Sequence, residues 1–337
     1  MNKFYEKKPT NETLWRSVIL FGRNVATYKF ALGKALLELS DQEKTFIRLE
    51  ELADPFSRYI CEHLKLSDKQ GTFSKSKFLD ACRKYNSGIL KKEDLIQETV
   101  ARGFQNVIDA FHVVNQGEIS KRFYIDERKQ RKGINITDEL LALKKQLQFL
   151  NLPFEVDARW RLVETAWSIG ISTNLLEVKY DPDKNLFFSE NSLSRRINIA
   201  SSRDSLNGYQ KGKCFYCARD ILIDNFNPGF MSDVDHFFPF ILTTRLSSIN
   251  INGVWNLVLS CMECNRGRDG KLARVPEHSF LEKLFDRNEY LISSHHPLRE
   301  TIINQTGVTV DERRDFLQKV DNSAIDYLIH RWRPLHQ

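Results

Sequence analysis

The sequence lacks any long apolar run, although 41% of its 337 residues are hydrophobic. Near its start, the longest purely aliphatic or aromatic run is Val18–Phe21, far short of the roughly 20 residues that a membrane helix needs. The first twelve residues, MNKFYEKKPTNE, contain neither an apolar core nor a small-residue cleavage site, so we expect no signal peptide. We therefore expect a cytoplasmic protein with no membrane partner.

A strong excess of one charge is also missing. The chain has 50 Lys and Arg against 44 Asp and Glu, which gives a net charge of +6. This mild basic bias is compatible with a nucleic-acid partner and equally with an ordinary soluble surface. The sequence contains no ATPase phosphate-binding loop, no internal repeat and no low-complexity segment. Its length suits two domains better than one.

Helical periodicity dominates the first third of the chain. Apolar residues recur at helix-like spacing from about residue 11 to 115, and Ser74 or Ser76 can cap one of these helices. Lys91–Val114 is predicted to form a further helix. No residue in this region forms a recognisable chemical motif, so we interpret the apolar stripes as core packing.

Two hairpins are predicted after the helical region. One turns at Arg128–Gly133, where the basic residues either contact a DNA backbone or form a solvated turn. The other turns at Asp181–Lys184. The polar segment Ser192–Gln210 is predicted to be a helix, and the chain beyond residue 275 returns to helical patterns. We therefore predict an α+β fold, mainly helical, with domains at 1–190, 191–275 and 276–337.

Six cysteines are present, and four of them form two C-x-x-C pairs. Cys61 and Cys82 stand alone in helix-like apolar patterns, which favours small buried side chains. In a cytosolic chain, paired C-x-x-C units indicate metal ligands before disulfides. Two such pairs can close a tetrahedral all-thiolate shell, which is typical of structural Zn²⁺. The predicted zinc ligands are Cys214, Cys217, Cys261 and Cys264.

The 43 residues between the two cysteine pairs contain a candidate reactive group. Asp235 and His236 end a predicted strand and offer a hard oxygen ligand beside a base that titrates near neutrality. Asn256 begins a second apolar strand, from which its side chain can fix the loop carrying His236. Taken singly, each of these residues favours an ordinary structural role.

The residues after the second cysteine pair extend this candidate site. Asn265 follows Cys264 on the first turns of a predicted helix, and its amide oxygen is a possible second metal ligand. Arg266, Arg268 and Lys271 lie on or near the same helix and can hold DNA phosphates. A solvated charged helix face is the alternative for each of the three.

In order along the chain, the segments CFYC, DVDHFFPF, GVWNLVLS and CMECNRGRDGK resemble the HNH (ββα-metal) endonuclease superfamily. The form they resemble is the one in which C-x-x-C knuckles flank the motif. Asp-Val-Asp-His and Asn-Arg-Gly are also similar to the HNH domain of RNA-guided CRISPR nucleases. The resemblance covers under a quarter of the chain. Asn265 stands where many members have His, which favours Mg²⁺ or Mn²⁺ over softer ions.

The resemblance implies a metal-dependent DNA endonuclease or nickase. By position in the motif, Asp235 and Asn265 hold one divalent cation, His236 is the general base, Asn256 supports it, and Asp233 remains unassigned. The implied products carry 5′-phosphate and 3′-hydroxyl ends. His295-His296 also resembles the His-His pair that some members carry at the position of the general base. It lacks the surrounding motif, so we predict a loop there.

The sequence is compatible with more than one biological role. A large helical region followed by a nuclease resembles HNH effectors of bacterial anti-phage defence, such as those of Zorya-type operons, with other subunits of the system as partners. A restriction or homing nuclease is an alternative role. A zinc-held nucleic-acid-binding module without catalysis is an alternative function.

Overall fold

The computed structural model describes residues 9–21, 25–41, 44–72, 75–114, 117–168, 178–190, 196–223, 230–293 and 298–335. The protein is α+β and mainly helical. It divides into two compact units, residues 1–149 and residues 150–337. Within the described residues, no helix combines the length and hydrophobicity that crossing a membrane requires. The predicted His295-His296 loop lies outside the described residues.

The first unit is a helical body with short strands. In chain order it contains α1 (Asn11–Phe21), α2 (Tyr28–Leu39), β1 (Phe46–Arg48), α3 (Leu49–Leu64), α4 (Lys77–Asn86), α5 (Lys92–Glu98), α6 (Val107–Ala110), β2 (Val113–Val114), β3 (Gly117–Glu118), β4 (Tyr124–Asp126), α7 (Arg128–Arg131), β5 (Gly133–Ile136) and α8 (Asp138–Lys144). Its core is aromatic and aliphatic, with Trp15, Phe30, Phe56 and Phe111 all buried.

Local sequence explains much of this first unit. The Ser76 hydroxyl caps α4 by accepting a hydrogen bond from the Leu79 N–H at 3.3 Å, as predicted for one of two serines. The other, Ser74, lies outside the described residues. The hairpin predicted at Arg128–Gly133 is confirmed, because β4 pairs antiparallel with β5. The single helix predicted over Lys91–Val114 is wrong. Instead, α5 continues into a π-helical turn at Thr99–Gly103, and the helix ends before α6 begins.

The second unit mixes hairpins with packed helices. In chain order it contains α9 (Leu152–Ser168), β6 (Lys179–Asp181), β7 (Leu186–Glu190), β8 (Arg196–Ser201), α10 (Ser202–Gln210), β9 (Ser232–His236), β10 (Leu257–Cys261), α11 (Met262–Arg266), β11 (Val275–Pro276), α12 (His278–Ser293), α13 (Leu298–Thr306), α14 (Val310–Leu328) and β12 (Arg331–Trp332). A 3-10 turn at Leu147–Asn151 precedes it.

The strand β8 corrects one prediction. The helix predicted from Ser192 begins only at Ser202, because residues 196–201 pair antiparallel with β7. The strand β7 already pairs with β6 on its other side, so this segment satisfies its remaining edge. The hairpin predicted at Asp181–Lys184 is confirmed by the pairing of β6 with β7.

One hydrophobic core joins elements from most of the second unit. It joins Leu162 of α9, Phe187 of β7, Trp255, Leu284 of α12 and Leu317 of α14. The units therefore divide after Phe149, whereas the sequence predicted boundaries after residues 190 and 275. The physical reason is that a hairpin and three helices, each apolar on one face, share this core instead of forming cores of their own.

Candidate functional site

The four predicted zinc ligands come together in the second unit. Their sulfur atoms all lie within 4.8 Å of one another, and those of Cys217 and Cys261 are 3.8 Å apart. A tetrahedron with Zn–S bonds of about 2.3 Å requires sulfur separations of about 3.8 Å. The cluster can therefore bind a metal such as zinc.

The backbone ties the first cysteine pair to the sheet. The Phe215 N–H donates to the Leu259 carbonyl of β10 at 2.9 Å. Gln210, the last residue of α10, brackets the same residue, because its amide donates to the Leu259 carbonyl and accepts from the Leu259 N–H, each at 2.7 Å. Cys261 ends β10 itself. The two knuckles thus meet at one end of the β9–β10 hairpin.

Asp235 lies near the end of β9 and is buried, with 6% of its surface exposed. Its Oδ2 accepts a hydrogen bond from the Tyr216 hydroxyl at 2.6 Å, and its Oδ1 lies 3.2 Å from the Lys271 ammonium. Burial raises the pKa of Asp235, and the positive charge of Lys271 opposes that shift. Each carboxylate oxygen keeps a lone pair beyond these contacts.

His236 follows on the same strand and has a defined orientation. Its Nε2 lies 2.8 Å from the Asn252 Oδ1, an acceptor that selects the tautomer with the proton on Nε2 and leaves Nδ1 as the proton acceptor. The rings of Tyr180 and Phe240 flank the imidazole, with centroids at 6.0 and 5.5 Å. Burial lowers the pKa of His236, so the ring is neutral at neutral pH and can take up a proton.

Asn256 is fully buried at the start of β10 and supports the loop after His236. Its Oδ1 accepts from the Phe238 N–H at 2.8 Å, and its Nδ2 donates to the carbonyls of Phe238 and Ile251 at 3.0 and 2.9 Å. These contacts occupy both ends of the amide. Asn256 is therefore a positioning residue in this structure and has no exposed atom for a substrate.

Asn265 contacts the strand that carries Asp235, but at a different carboxylate. Its Nδ2 donates to the Asp233 Oδ2 at 3.1 Å. Asp233 and Asp235 alternate along β9 and share one face of the strand. Arg266 holds the same Asp233 oxygen at 2.9 Å. Asp233, which the sequence left unassigned, therefore fixes the orientation of Asn265, whose amide oxygen points to no hydrogen-bond donor among the described residues.

The three basic residues predicted to contact DNA have different environments. Arg266 and Arg268 lie on the surface. The Lys271 side chain is only 1% exposed and reaches Asp235 and the His236 carbonyl, the latter at 2.9 Å. The predicted phosphate contact of Lys271 therefore does not fit its buried position. The loop turns inward because the Lys271 N–H bonds to the Cys264 carbonyl at 2.7 Å.

Two residues of α12 hydrogen-bond the backbone next to Asn256. The Arg287 guanidinium donates to the carbonyls of Trp255 and Leu257 at 3.1 and 2.8 Å, and Asn288 donates to the Trp255 carbonyl at 3.2 Å. Both residues are buried. They hold the backbone on either side of Asn256. The sequence analysis missed Arg287. The signal that could have indicated it is a charged side chain three residues after Leu284, on the apolar face of an amphipathic helix.

Tyr216 and Asn252 were also missed by the sequence. Tyr216 lies between two cysteines of the four-cysteine cluster, and a tyrosine buried there needs a hydrogen-bond partner for its hydroxyl. The sequence therefore offered a signal for this contact. Asn252 lies in a polar turn without periodicity, so nothing local indicated its contact with His236. No family model matches this chain, and neither do the curated proteins nor the solved structures with which it was compared.

Proposed function

We propose that the second unit hydrolyses phosphodiester bonds of DNA with a divalent cation, as an HNH-type endonuclease or nickase. One observation carries the proposal. Asp235 and His236 end one strand of a hairpin, Asn265 lies on the helix that follows it, and four clustered thiols hold the junction. An antiparallel hairpin followed directly by a helix is the arrangement that the resemblance implies.

The donor types suit a hard cation. The Asp235 carboxylate and the Asn265 amide oxygen would hold Mg²⁺ or Mn²⁺, which prefer oxygen ligands. When bound, such a cation polarises the scissile phosphate and stabilises charge on the leaving 3′ oxygen. The Lys271 ammonium at Asp235 Oδ1 reduces the negative charge of the site but leaves lone pairs for a cation.

The chain's own residues supply the proton transfer. His236 takes a proton from the attacking water at Nδ1, while Asn252 holds the opposite nitrogen and Asn256 fixes the following loop. A positioned base of this kind contributes roughly 10²–10⁴-fold to a rate. The products carry 5′-phosphate and 3′-hydroxyl ends. Arg266 and Arg268, exposed beside Asn265, would contact the flanking phosphates.

The test is cleavage of supercoiled plasmid DNA by the full chain, with and without Mg²⁺ or Mn²⁺. We expect metal-dependent nicked or linear product from the wild type and none from His236→Ala. His278→Ala, which removes an exposed histidine at the start of α12, is the matched control and should cut normally. Unchanged cutting by His236→Ala, or full cutting in EDTA, would contradict the proposal.

A second candidate function is zinc-held binding of nucleic acid without catalysis. The buried pair of Lys271 with Asp235 favours it, because the ammonium neutralises a carboxylate that would otherwise repel phosphate. A wild-type protein that shifts DNA in a gel but cuts no plasmid with either cation supports this second candidate.

For the biological role, we propose an effector of bacterial anti-phage defence that acts with other subunits of a defence system. Its support is the layout of the chain, a large helical first unit followed by the proposed nuclease, which resembles such effectors. We expect the intact chain, expressed with its neighbouring genes, to lower phage plating, and His236→Ala to remove that protection. Sequence-specific cutting by the purified chain alone would favour a restriction or homing role instead.

A further inference from the structure

The carboxylate of Asp235 is held from two directions by residues that adjoin the cysteine pairs. Tyr216 lies inside the first C-x-x-C pair and donates its hydroxyl to Oδ2 at 2.6 Å. Lys271 follows the second pair, is attached to Cys264 through its backbone N–H, and approaches Oδ1 to 3.2 Å. Both atoms that orient Asp235 are thus connected to the four-cysteine site by very short lengths of chain.

Tyr216 has little freedom to move. It is 2% exposed, and its ring packs edge-on against Phe280 at 5.5 Å and Trp332 at 5.0 Å. Its neighbours in the chain, Phe215 and Cys217, are fixed by the hydrogen bond to β10 and by the sulfur cluster. The hydroxyl therefore presents one fixed donor to a buried carboxylate, and the second oxygen of that carboxylate is held by Lys271.

We infer that Tyr216 is a positioning residue that orients Asp235 for the divalent cation and makes cation affinity depend on the four-cysteine site. The inference rests on the proposed function, because it takes Asp235 to be a cation ligand. Partners that hydrogen-bond a metal ligand typically contribute 10–100-fold to metal affinity. The four-cysteine site would then do more than stabilise the fold: it would set the geometry of the second metal site.

The test measures Mn²⁺ binding directly, by the loss of the free Mn²⁺ signal in electron paramagnetic resonance, on the full zinc-loaded chain. Tyr216→Phe keeps the packed ring and removes only the hydroxyl. We expect the dissociation constant for Mn²⁺ to rise by about 10-fold or more, with zinc content unchanged. Tyr124→Phe is the matched control, because it removes an equally buried hydroxyl that donates to the Ile108 carbonyl in the first unit.

Reciprocal binding separates positioning from general destabilisation. If the two sites are coupled, Mg²⁺ raises the apparent affinity for zinc, measured by competition with a zinc-selective chelator, by the same factor by which zinc raises affinity for Mg²⁺. We expect this Mg²⁺ effect in the wild type and in Tyr124→Phe, and its loss in Tyr216→Phe. A merely structural role would lower zinc affinity equally with and without Mg²⁺.

The outcomes distinguish this inference from the function on which it rests. A wild type that binds Mn²⁺ and cuts DNA, with unchanged Mn²⁺ affinity in Tyr216→Phe, overturns the inference alone. A wild type that binds no Mn²⁺ and cuts no DNA overturns both. Weakened Mn²⁺ binding in Tyr216→Phe with full zinc content, together with loss of the reciprocal effect, supports it.

Discussion

The side chain of Asn256 pairs with both backbone polar groups of Phe238, accepting from its N–H at 2.8 Å and donating to its carbonyl at 3.0 Å. Phe238 lies two residues after His236, so this pair closes the loop that follows the proposed base. The same amide also reaches the Ile251 carbonyl in the turn that carries Asn252, the partner of His236. One buried asparagine therefore fixes both segments around the imidazole.

Replacing Asn256 by alanine should destabilise the second unit. The change leaves two carbonyls and one N–H buried without their present partner, and each such group costs about 1–3 kcal/mol. We expect a loss of about 2–4 kcal/mol in the free energy of unfolding, measured by urea denaturation, because local water can replace some contacts. Asn322→Ala, on the exposed side of α14, should change stability by less than about 0.5 kcal/mol. Equal effects of the two changes would contradict this assignment.

Metal content should depend on the four clustered cysteines and not on the other two. We expect about one zinc per purified chain by mass spectrometry of the metals, and its loss in Cys217→Ser. Cys61→Ala serves as the control, because that thiol is buried in the first unit. Zinc binding stabilises small zinc peptides by about 10–16 kcal/mol, so Cys217→Ser should also lower the melting temperature. Full zinc content in Cys217→Ser would rule out the four-thiolate site.

Lys271 should behave as a buried counter-ion. Lys271→Met leaves the Asp235 carboxylate buried without its ammonium partner, and breaking one member of such a pair typically costs about 3–5 kcal/mol. We expect the double variant Asp235→Asn with Lys271→Met to recover part of that loss in urea unfolding. Near-normal stability of Lys271→Met, together with reduced DNA binding, would contradict the counter-ion role. It would instead support the phosphate contact that the sequence predicted for Lys271.

Arg268 should contribute to DNA binding through charge alone. It is exposed, and no ion pair to it is found among the residues that the structure describes. In a His236→Ala background, Arg268→Ala should weaken binding similarly for unrelated DNA sequences. The slope of log affinity against log salt should fall by about 1, measured by fluorescence anisotropy. Lys319→Ala on α14 is the control for loss of one exposed charge. An equal change in both slopes would show that Arg268 has no particular contact.

The first unit should lose stability below about pH 6.5 because of His112. This ring is buried and accepts the Phe123 N–H at 3.0 Å, and burial lowers its pKa to about 3. The unfolded chain binds this proton near pH 6.5 and the folded chain only near pH 3, so stability rises with pH between these values. It should fall by about 1.4 kcal/mol per pH unit within that window.

The measurement compares the wild type with His112→Gln by urea unfolding at pH 7 and at pH 5. Between pH 7 and pH 5, the wild type should lose about 2 kcal/mol of unfolding free energy relative to His112→Gln. Carboxyl groups that titrate below pH 5 affect both proteins alike and cancel in this comparison. A difference that is constant with pH would show that folding does not lower the pKa of His112.

Local patterns predicted several elements correctly, because their causes are local. The turn chemistry at Asp181–Lys184 determines a hairpin, and the apolar run after Asn256 determines a buried strand. The strand β8 was missed because its pairing with β7 is a contact between segments. Lys271 was misplaced for a similar reason, since its burial depends on a loop that folds back onto Cys264.

The sequence by itself determined the four-cysteine cluster, since two C-x-x-C pairs joined by a foldable insert can satisfy their thiolates in few other ways. It also placed Asp235, His236, Asn256 and Asn265 in an order that favours one chemistry. Tertiary structure alone decided which groups hold them: Tyr216 and Lys271 at Asp235, Asn252 at His236, and Asp233 at Asn265. These partners lie 16 to 36 residues away along the chain, so only the folded chain brings them together. At Asp235, Tyr216 and Lys271 the physical reason is burial, because a buried polar group needs a partner.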